Sequence, residues 1–229
     1  MSTARDEILA NIRRSLGVTG REAPRAAAVA DRLGRGQAGV IPARGQLDGA
    51  ARTDTFRREA ELVSATVTIL GLAAEVPAEV ARFLRDNNLP ASLRMGADPR
   101  LAAMDWSATA LDISRGPSDG SDLNAVSCAF AGVAETGTLA MVSGPDNPTT
   151  LNFLPDNHIV VLDAGDLEPD MESVWKRLRA RFGPGLAPRV VNLITGPSRS
   201  ADIEQTLLLG AHGPRRLHVV VVAEASPKG

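Results

Sequence analysis

The 229-residue chain has a single cysteine, Cys128. One thiol makes no internal disulfide, and its scarcity fits a reducing compartment. It also excludes an iron–sulfur cluster held by this chain alone, because such clusters take about four cysteine ligands. The three histidines, His158, His212 and His218, have no zinc-like spacing, so no metal site is expected. Lysine is almost absent, with only Lys176 and Lys228, and arginine carries most of the positive charge. That bias reads as coding preference in a GC-rich genome. The formal net charge is −2, which gives no global reason to expect nucleic acid or an anionic membrane. No apolar run approaches the ~20 residues that cross a bilayer, and acidic Asp6 and Glu7 stand where a signal peptide would be apolar. These absences together predict a cytoplasmic protein.

What is present is ordinary globular composition, 44% apolar and 23% charged. Residues 3–16 read as an amphipathic helix: Thr3 and Asp6 form a capping box, Ile8, Ile12 and Leu16 share a face with Leu9 beside them, and Gly17 ends it. Residues 18–51, rich in Ala, Gly, Arg and Pro, show no usable periodicity and read as a flexible linker. The division expected is therefore a helix at 1–17, a linker at 18–51 and an α/β domain at 52–229. Within that domain, helices are expected at 52–65, 77–86 and 170–182, and strands at 66–70, 91–95, 125–133, 138–143, 158–163, 190–195 and 217–222. A further helix is expected at 201–209, while 98–124 stays open. Alternation of this kind predicts a mostly parallel sheet flanked by helices. The all-aliphatic surroundings of His218 suit a strand covered on both faces.

Four segments have side chains suited to chemistry. The run Thr195-Gly196-Pro197-Ser198-Arg199-Ser200-Ala201-Asp202 follows a strand and is expected to open a helix. Free N–H groups, hydroxyls and the Arg199 fork there would cradle a carboxylate or phosphate, with Gly196, Ser198, Arg199, Ser200 and Asp202 as ligand-binding candidates. The same spacing also suits a plain helix cap. The run Glu135-Thr136-Gly137-Thr138 puts a carboxylate and two hydroxyls on a turn between apolar strands. Glu135 is a candidate nucleophile or general base, with Thr136, Gly137 and Thr138 beside it as ligand-binding candidates. A simple hairpin turn with Gly137 at positive φ and Glu135 exposed is the reading that composition alone favours. His212, Gly213 and Arg215 sit in a tight Gly-Pro loop, expected at the opposite end of the sheet from Ser198 and read as structural or as an interface. The fourth, Gly144-Pro145-Asp146-Asn147-Pro148, leads into 149–154 and reads as capping.

Taken in order, Ala134-Glu135-Thr136-Gly137-Thr138, Leu154-Pro155, Gly196-Pro197-Ser198-Arg199 with Ala201-Asp202-Ile203-Glu204, and Gly210 with His212-Gly213-Pro214-Arg215 resemble the lactate-utilization protein C, or LUD domain, family. The likeness covers roughly 52–224 and is dense from 125 onward; Ser200 stands where the family suggests Thr. The resemblance implies a fold like that of phosphosugar isomerases and coenzyme A transferases. It implies a part in oxidising L-lactate to pyruvate, with iron–sulfur clusters carried by partner proteins and no cofactor in this chain. A small anionic metabolite is the expected ligand, and self-association is left open. Two other readings stay beside it: a stand-alone acyl or coenzyme A transferase using Glu135, and a metabolite-binding module without turnover.

Overall fold

The computed structural model describes residues 3–36, 38–47, 49–183, 188–201, 207–210 and 212–223. The chain divides into two units, Met1–Val40 and Ile41–Gly229.

In the first unit, α1 (Ala4–Ser15) begins at the expected capping box: Asp6 N donates to Thr3 Oγ at 3.3 Å and Thr3 N to Asp6 Oδ2 at 3.1 Å. A second helix, α2 (Ala23–Arg35), lies inside the stretch read as a linker. Pro24 in its first turn and Gly36 at its end, with φ +49, mark the ends of a helix built largely on Ala26–Ala28 and Ala30. Ala26, Val29, Ala30 and Leu33 do fall at helical spacing, but the small side chains and the surrounding Gly, Arg and Pro residues hide that stripe in a composition-based reading.

The second unit starts with α3 (Gly49–Leu62), β1 (Thr66–Leu70), α4 (Val76–Asp86), β2 (Ser92–Met95) and the short α5 (Pro99–Ala102). It continues through β3 (Asp112–Arg115), β4 (Asn124–Cys128), β5 (Ala131–Val133), β6 (Thr138–Val142), β7 (Asn157–Asp163) and β8 (Leu167–Glu168). It then runs through α6 (Met171–Phe182), β9 (Val191–Ile194), β10 (Arg199–Ala201), β11 (Leu207–Leu209) and β12 (Arg216–Val222). Six strands form one parallel sheet in the order β1-β12-β7-β4-β2-β3. This is the mostly parallel α/β architecture that the alternation predicts. A second sheet, β8-β5-β6-β9, is mixed: β5 and β9 both run antiparallel to β6.

Side chains alternate along β12. Val220 and Val222 pack with Val80, Phe83 and Leu84 of α4, and Leu217, Val219 and Val221 pack with Phe56 and Ala60 of α3 and with Leu139 and Met141 of the second sheet. Both faces are covered, which is why the strand reads as a continuous aliphatic run. A smaller cluster joins Val133 and Ala140 to Val174 and Leu178 of α6.

The expected strand at 125–133 divides between the two sheets: β4 belongs to the parallel sheet, and the chain breaks at Ala129 and Phe130 before β5 joins the other. The helix expected at 201–209 is corrected. Arg199–Ala201 and Leu207–Leu209 pair as antiparallel strands, while 202–206 lie outside the described residues. The strand at 191–194 likewise pairs with β6 rather than with β12, so these two strands form no βαβ unit.

Candidate functional site

The hairpin changes what the loops can do. A helix between β9 and β12 would carry the chain along the sheet and leave Ser198 and His212 at opposite edges, as the sequence reading expects. The β10–β11 pair instead returns the chain to its starting point. Ser198 is the junction: its N–H donates to Pro214 O at 2.8 Å, its carbonyl accepts from Gly210 N at 2.9 Å, and its Oγ accepts from His212 N at 3.2 Å. The expectation that the two loops lie apart is therefore wrong. Gly213 packs close by, since a Cβ there would come within 3.3 Å of Ser198 Cβ. His212 is exposed, and Arg215 turns away to Asp156, with Nε 3.7 Å from Oδ1.

Between these loops lies a cavity of about 260 Å³ lined by Thr195 to Arg199, His212 to Pro214, and two residues the sequence reading passes over, Asn152 and His158. Asn152 closes the 3-10 turn Thr149–Asn152, and His158 lies on β7; each is 1% exposed. His158 Nε2 lies 3.1 Å from Ser127 Oγ, and its Nδ1 has no partner. Burial pushes the His158 pKa down to about 3, so the ring is neutral at physiological pH. Neither Oδ1 nor Nδ2 of Asn152 has a partner. A signal for His158 did exist: a histidine opening the buried run Ile159-Val160-Val161-Leu162 breaks the local rule, and such breaks mark functional positions. Arg199 is exposed at the rim. The structure gives the backbone of Ser200, paired with Leu208, while Asp202 lies outside the described residues.

Glu135 occupies a different place. It stands on the turn between β5 and β6, is 6% exposed, and is not among the residues lining this cavity. Its Oε1 accepts from Met171 N at 3.1 Å, so it holds the first turn of α6 beside Asp170, whose Oδ1 accepts from Ser173 N at 2.8 Å. A carboxylate at a helix N-terminus satisfies free N–H groups and the helix dipole. The hydroxyls of Thr136, Thr138 and Thr195 form a line with successive distances of 2.7 Å, which ties this turn to the loop at Gly196. Gly137 has φ +62, and a Cβ there would lie 2.3 Å from Ala60 N; Gly196 has φ +75, and a Cβ there would lie 2.4 Å from Val63 O. Both turns are pressed onto the end of α3. Gly137→Ala is therefore expected to destabilise the protein by about 2–3 kcal/mol, from left-handed strain plus overpacking. Urea unfolding checks this, and a loss under about 0.5 kcal/mol, the level of ordinary surface substitutions, would show that the turn does not press on α3.

A larger cleft of about 720 Å³ opens where β4 and β7 end, lined by Arg100, Cys128, Asp163, Asp166 and Arg177 among others. Two of its three arginines are matched by the protein's own acids: Arg100 pairs with Asp98 at 2.9 Å, and Arg177 pairs with Asp166 and with Glu168, while Arg181 lies over the Phe182 ring. Burial pushes the Cys128 thiol well above its ordinary pKa, so it is not a ready nucleophile. Arg100 and Arg177 are thus held in an ionic network of the protein's own. The cavity at Ser198 is instead walled by two of the segments that the sequence singles out, Thr195–Arg199 and His212–Pro214, which makes it the better ligand candidate.

The LUD domain family model matches residues 123–222. Lactate utilization protein C of an Exiguobacterium species is 35% identical over 118 residues, 51% of this chain and 51% of that one. Lactate utilization protein C of a Geobacillus species is 37% identical over 93 residues, 40% of this chain and 39% of that one. The chain thus spans about half, or less, of the length of the curated relatives it matches. A solved structure of a DUF162 family protein from Deinococcus radiodurans superposes with a TM-score of 0.57 at 23% identity, covering 77% of this chain and 99% of that one, which shows the shared fold. Among the described residues no helix is long and apolar enough to cross a membrane. The Glu135 turn, the Ser198 loop and the His212 loop all fall inside residues 123–222, the stretch that the LUD domain family model matches.

Proposed function

We propose that this chain is a component of an L-lactate utilization system, acting with iron–sulfur partner proteins that oxidise lactate to pyruvate. The relatives named lactate utilization protein C support the process. The observation that carries the reading is that two of the segments bearing the resemblance, Thr195–Arg199 and His212–Pro214, close on one another around a cavity of metabolite size. The clusters fall to the partners, because Cys128 alone supplies one ligand of the about four required. A binding role without turnover is the second reading. It is favoured by the placement of Glu135, which caps α6 outside the cavity.

Deleting the gene is expected to abolish growth on L-lactate as sole carbon source while leaving growth on pyruvate intact. Affinity capture of the full chain from lactate-grown cells is expected to recover an iron–sulfur protein. Normal growth on lactate after deletion would overturn the proposal.

A further inference from the structure

Beneath α4, at the amino ends of β1 and β12, a hydroxyl, an imidazole and a carboxylate stand in line. Thr66 and His218 face each other across the two strands, with Thr66 Oγ1 2.8 Å from His218 Nδ1. On the other side of the ring, Nε2 lies 3.1 Å from Glu79 Oε1 of α4. Arg82 grips that carboxylate through Nε and Nη2, each at 2.6 Å, and the Phe83 ring stacks on the imidazole at 4.3 Å. Glu79 and His218 are buried, but Thr66 is exposed and lines a cavity of about 400 Å³. The line thus runs from a buried anion to a hydroxyl that a ligand can reach.

The buried end fixes the protons on this line. Burial alone would raise the Glu79 pKa, but hydrogen bonds from Arg82 and Thr68 outweigh it and hold the carboxyl below its usual range, so Glu79 is ionised and can only accept. Burial pushes the His218 pKa below 6.5 against the pull of Glu79, so the ring is neutral. Nε2 then carries the single ring proton and donates it to Glu79, which leaves Nδ1 with its lone pair toward the Thr66 O–H. A hydroxyl held on a neutral imidazole, itself oriented by a carboxylate, is activated as a nucleophile. The same cavity receives the guanidinium groups of Arg215 and Arg216. Arg215 meets Asp156 only at 3.7 Å and Arg216 gives Nη1 to Asn157, so both keep donors for a carboxylate or phosphate group.

We propose that this line is a catalytic site for acyl transfer from esters or thioesters of small acids bearing a negative charge, with Thr66 as nucleophile, His218 as its base and Glu79 positioning the ring. Thr66 Oγ bonds to the acyl carbon as the bond to the leaving alcohol or thiol breaks, and the Thr66 proton passes through His218 Nδ1 to that leaving group. Water, activated by the same nitrogen, then releases the acid and restores the hydroxyl. The full chain is mixed with 4-nitrophenyl acetate or 4-nitrophenyl hydrogen succinate; nitrophenolate is followed by absorbance and the acyl group located by mass spectrometry. The acyl group is expected on Thr66, with the charged ester reacting faster, and Arg215→Ala with Arg216→Ala is expected to remove that preference. Thr66→Ala is expected to abolish the adduct, and His218→Gln to slow its formation by about 100-fold or more. Glu79→Gln is expected to slow it and to move the acid limb of its pH profile to lower pH, because the charge that supports the His218 pKa is gone. Should the buried substitutions fail to fold, Thr66→Ala at an exposed position decides alone. No acyl group on Thr66, or nitrophenolate release that persists in Thr66→Ala, would overturn the proposal, and equal rates with the two esters would overturn the substrate class.

Discussion

Replacing Arg100 by methionine is expected to destabilise the protein by about 3–5 kcal/mol, the range for removing one partner of a buried ion network. Arg100 follows the N-cap of α5, and its guanidinium lies over the ends of β4 and β7. Its Nε and Nη2 reach both oxygens of Asp98 at 3.1 and 2.9 Å, Nη1 lies 3.6 Å from Asp163 and 3.7 Å from Asp166, and both terminal nitrogens donate to Ala129 O at 3.3 Å. Those three acids are each 5–6% exposed. Methionine fills the volume but leaves carboxylates facing one another away from water. Arg100→Lys keeps the charge and loses the fork, so it is expected to recover only part of the loss. Trp106 reports locally, because its indole Nε1 donates to Leu101 O at 2.7 Å in the adjacent turn. Urea unfolding followed by tryptophan fluorescence measures the effect. A loss below about 1 kcal/mol, the value of an exposed pair, would mean that water reaches these acids and the network is not buried.

Acidification should act through His158. In the unfolded chain its imidazole has the ordinary pKa of 6.5; in the folded chain burial holds it near 3. Between these values the unfolded state binds the extra proton, so stability is full above pH 6.5 and is lost as pH falls toward 3. At about 1.4 kcal/mol per unit, the 2.5 units from pH 6.5 to 4 remove about 3 kcal/mol through this one residue. Carboxylates titrate over part of the same range, so the informative quantity is the difference between wild type and His158→Gln. The wild type is expected to be the more stable at pH 7.5, and the gap to narrow by about 3 kcal/mol by pH 4. A gap that stays constant with pH would show that His158 is hydrated and charges normally.

The parallel sheet was legible because its strands are aliphatic runs covered on both faces, and Ile159–Leu162 and Val219–Val222 can be little else. The capping box was legible too: Thr3 with Asp6 sits at the helix start it announces. The hairpin at 199–209 was not legible. The apolar Leu207-Leu208-Leu209 after Ala201 suits a helix as well as a strand, and only the pairing partner separates the two. That one ambiguity put Ser198 and His212 at opposite ends of the sheet. Asn152 was missed for a different reason: nothing in Thr149-Thr150-Leu151-Asn152 distinguishes a solvated turn from one whose last side chain points inward. Glu135 stood out by its chemical type, but its burial against α6 depends on a residue 36 positions away.

The position of β12 also bears on how the protein is made. It lies between β1 and β7, and His218 pairs with Thr66 across 152 residues of chain. At about 5–20 residues per second of synthesis, β1 waits roughly 8–30 s on the ribosome for its neighbour. Until then the sheet exists as separated parts, with β1 and β7 each offering an unpaired edge that invites wrong partners. A product released before residue 216 never closes that gap, so a premature stop ahead of β12 should yield aggregates and protease substrates rather than shortened, working protein.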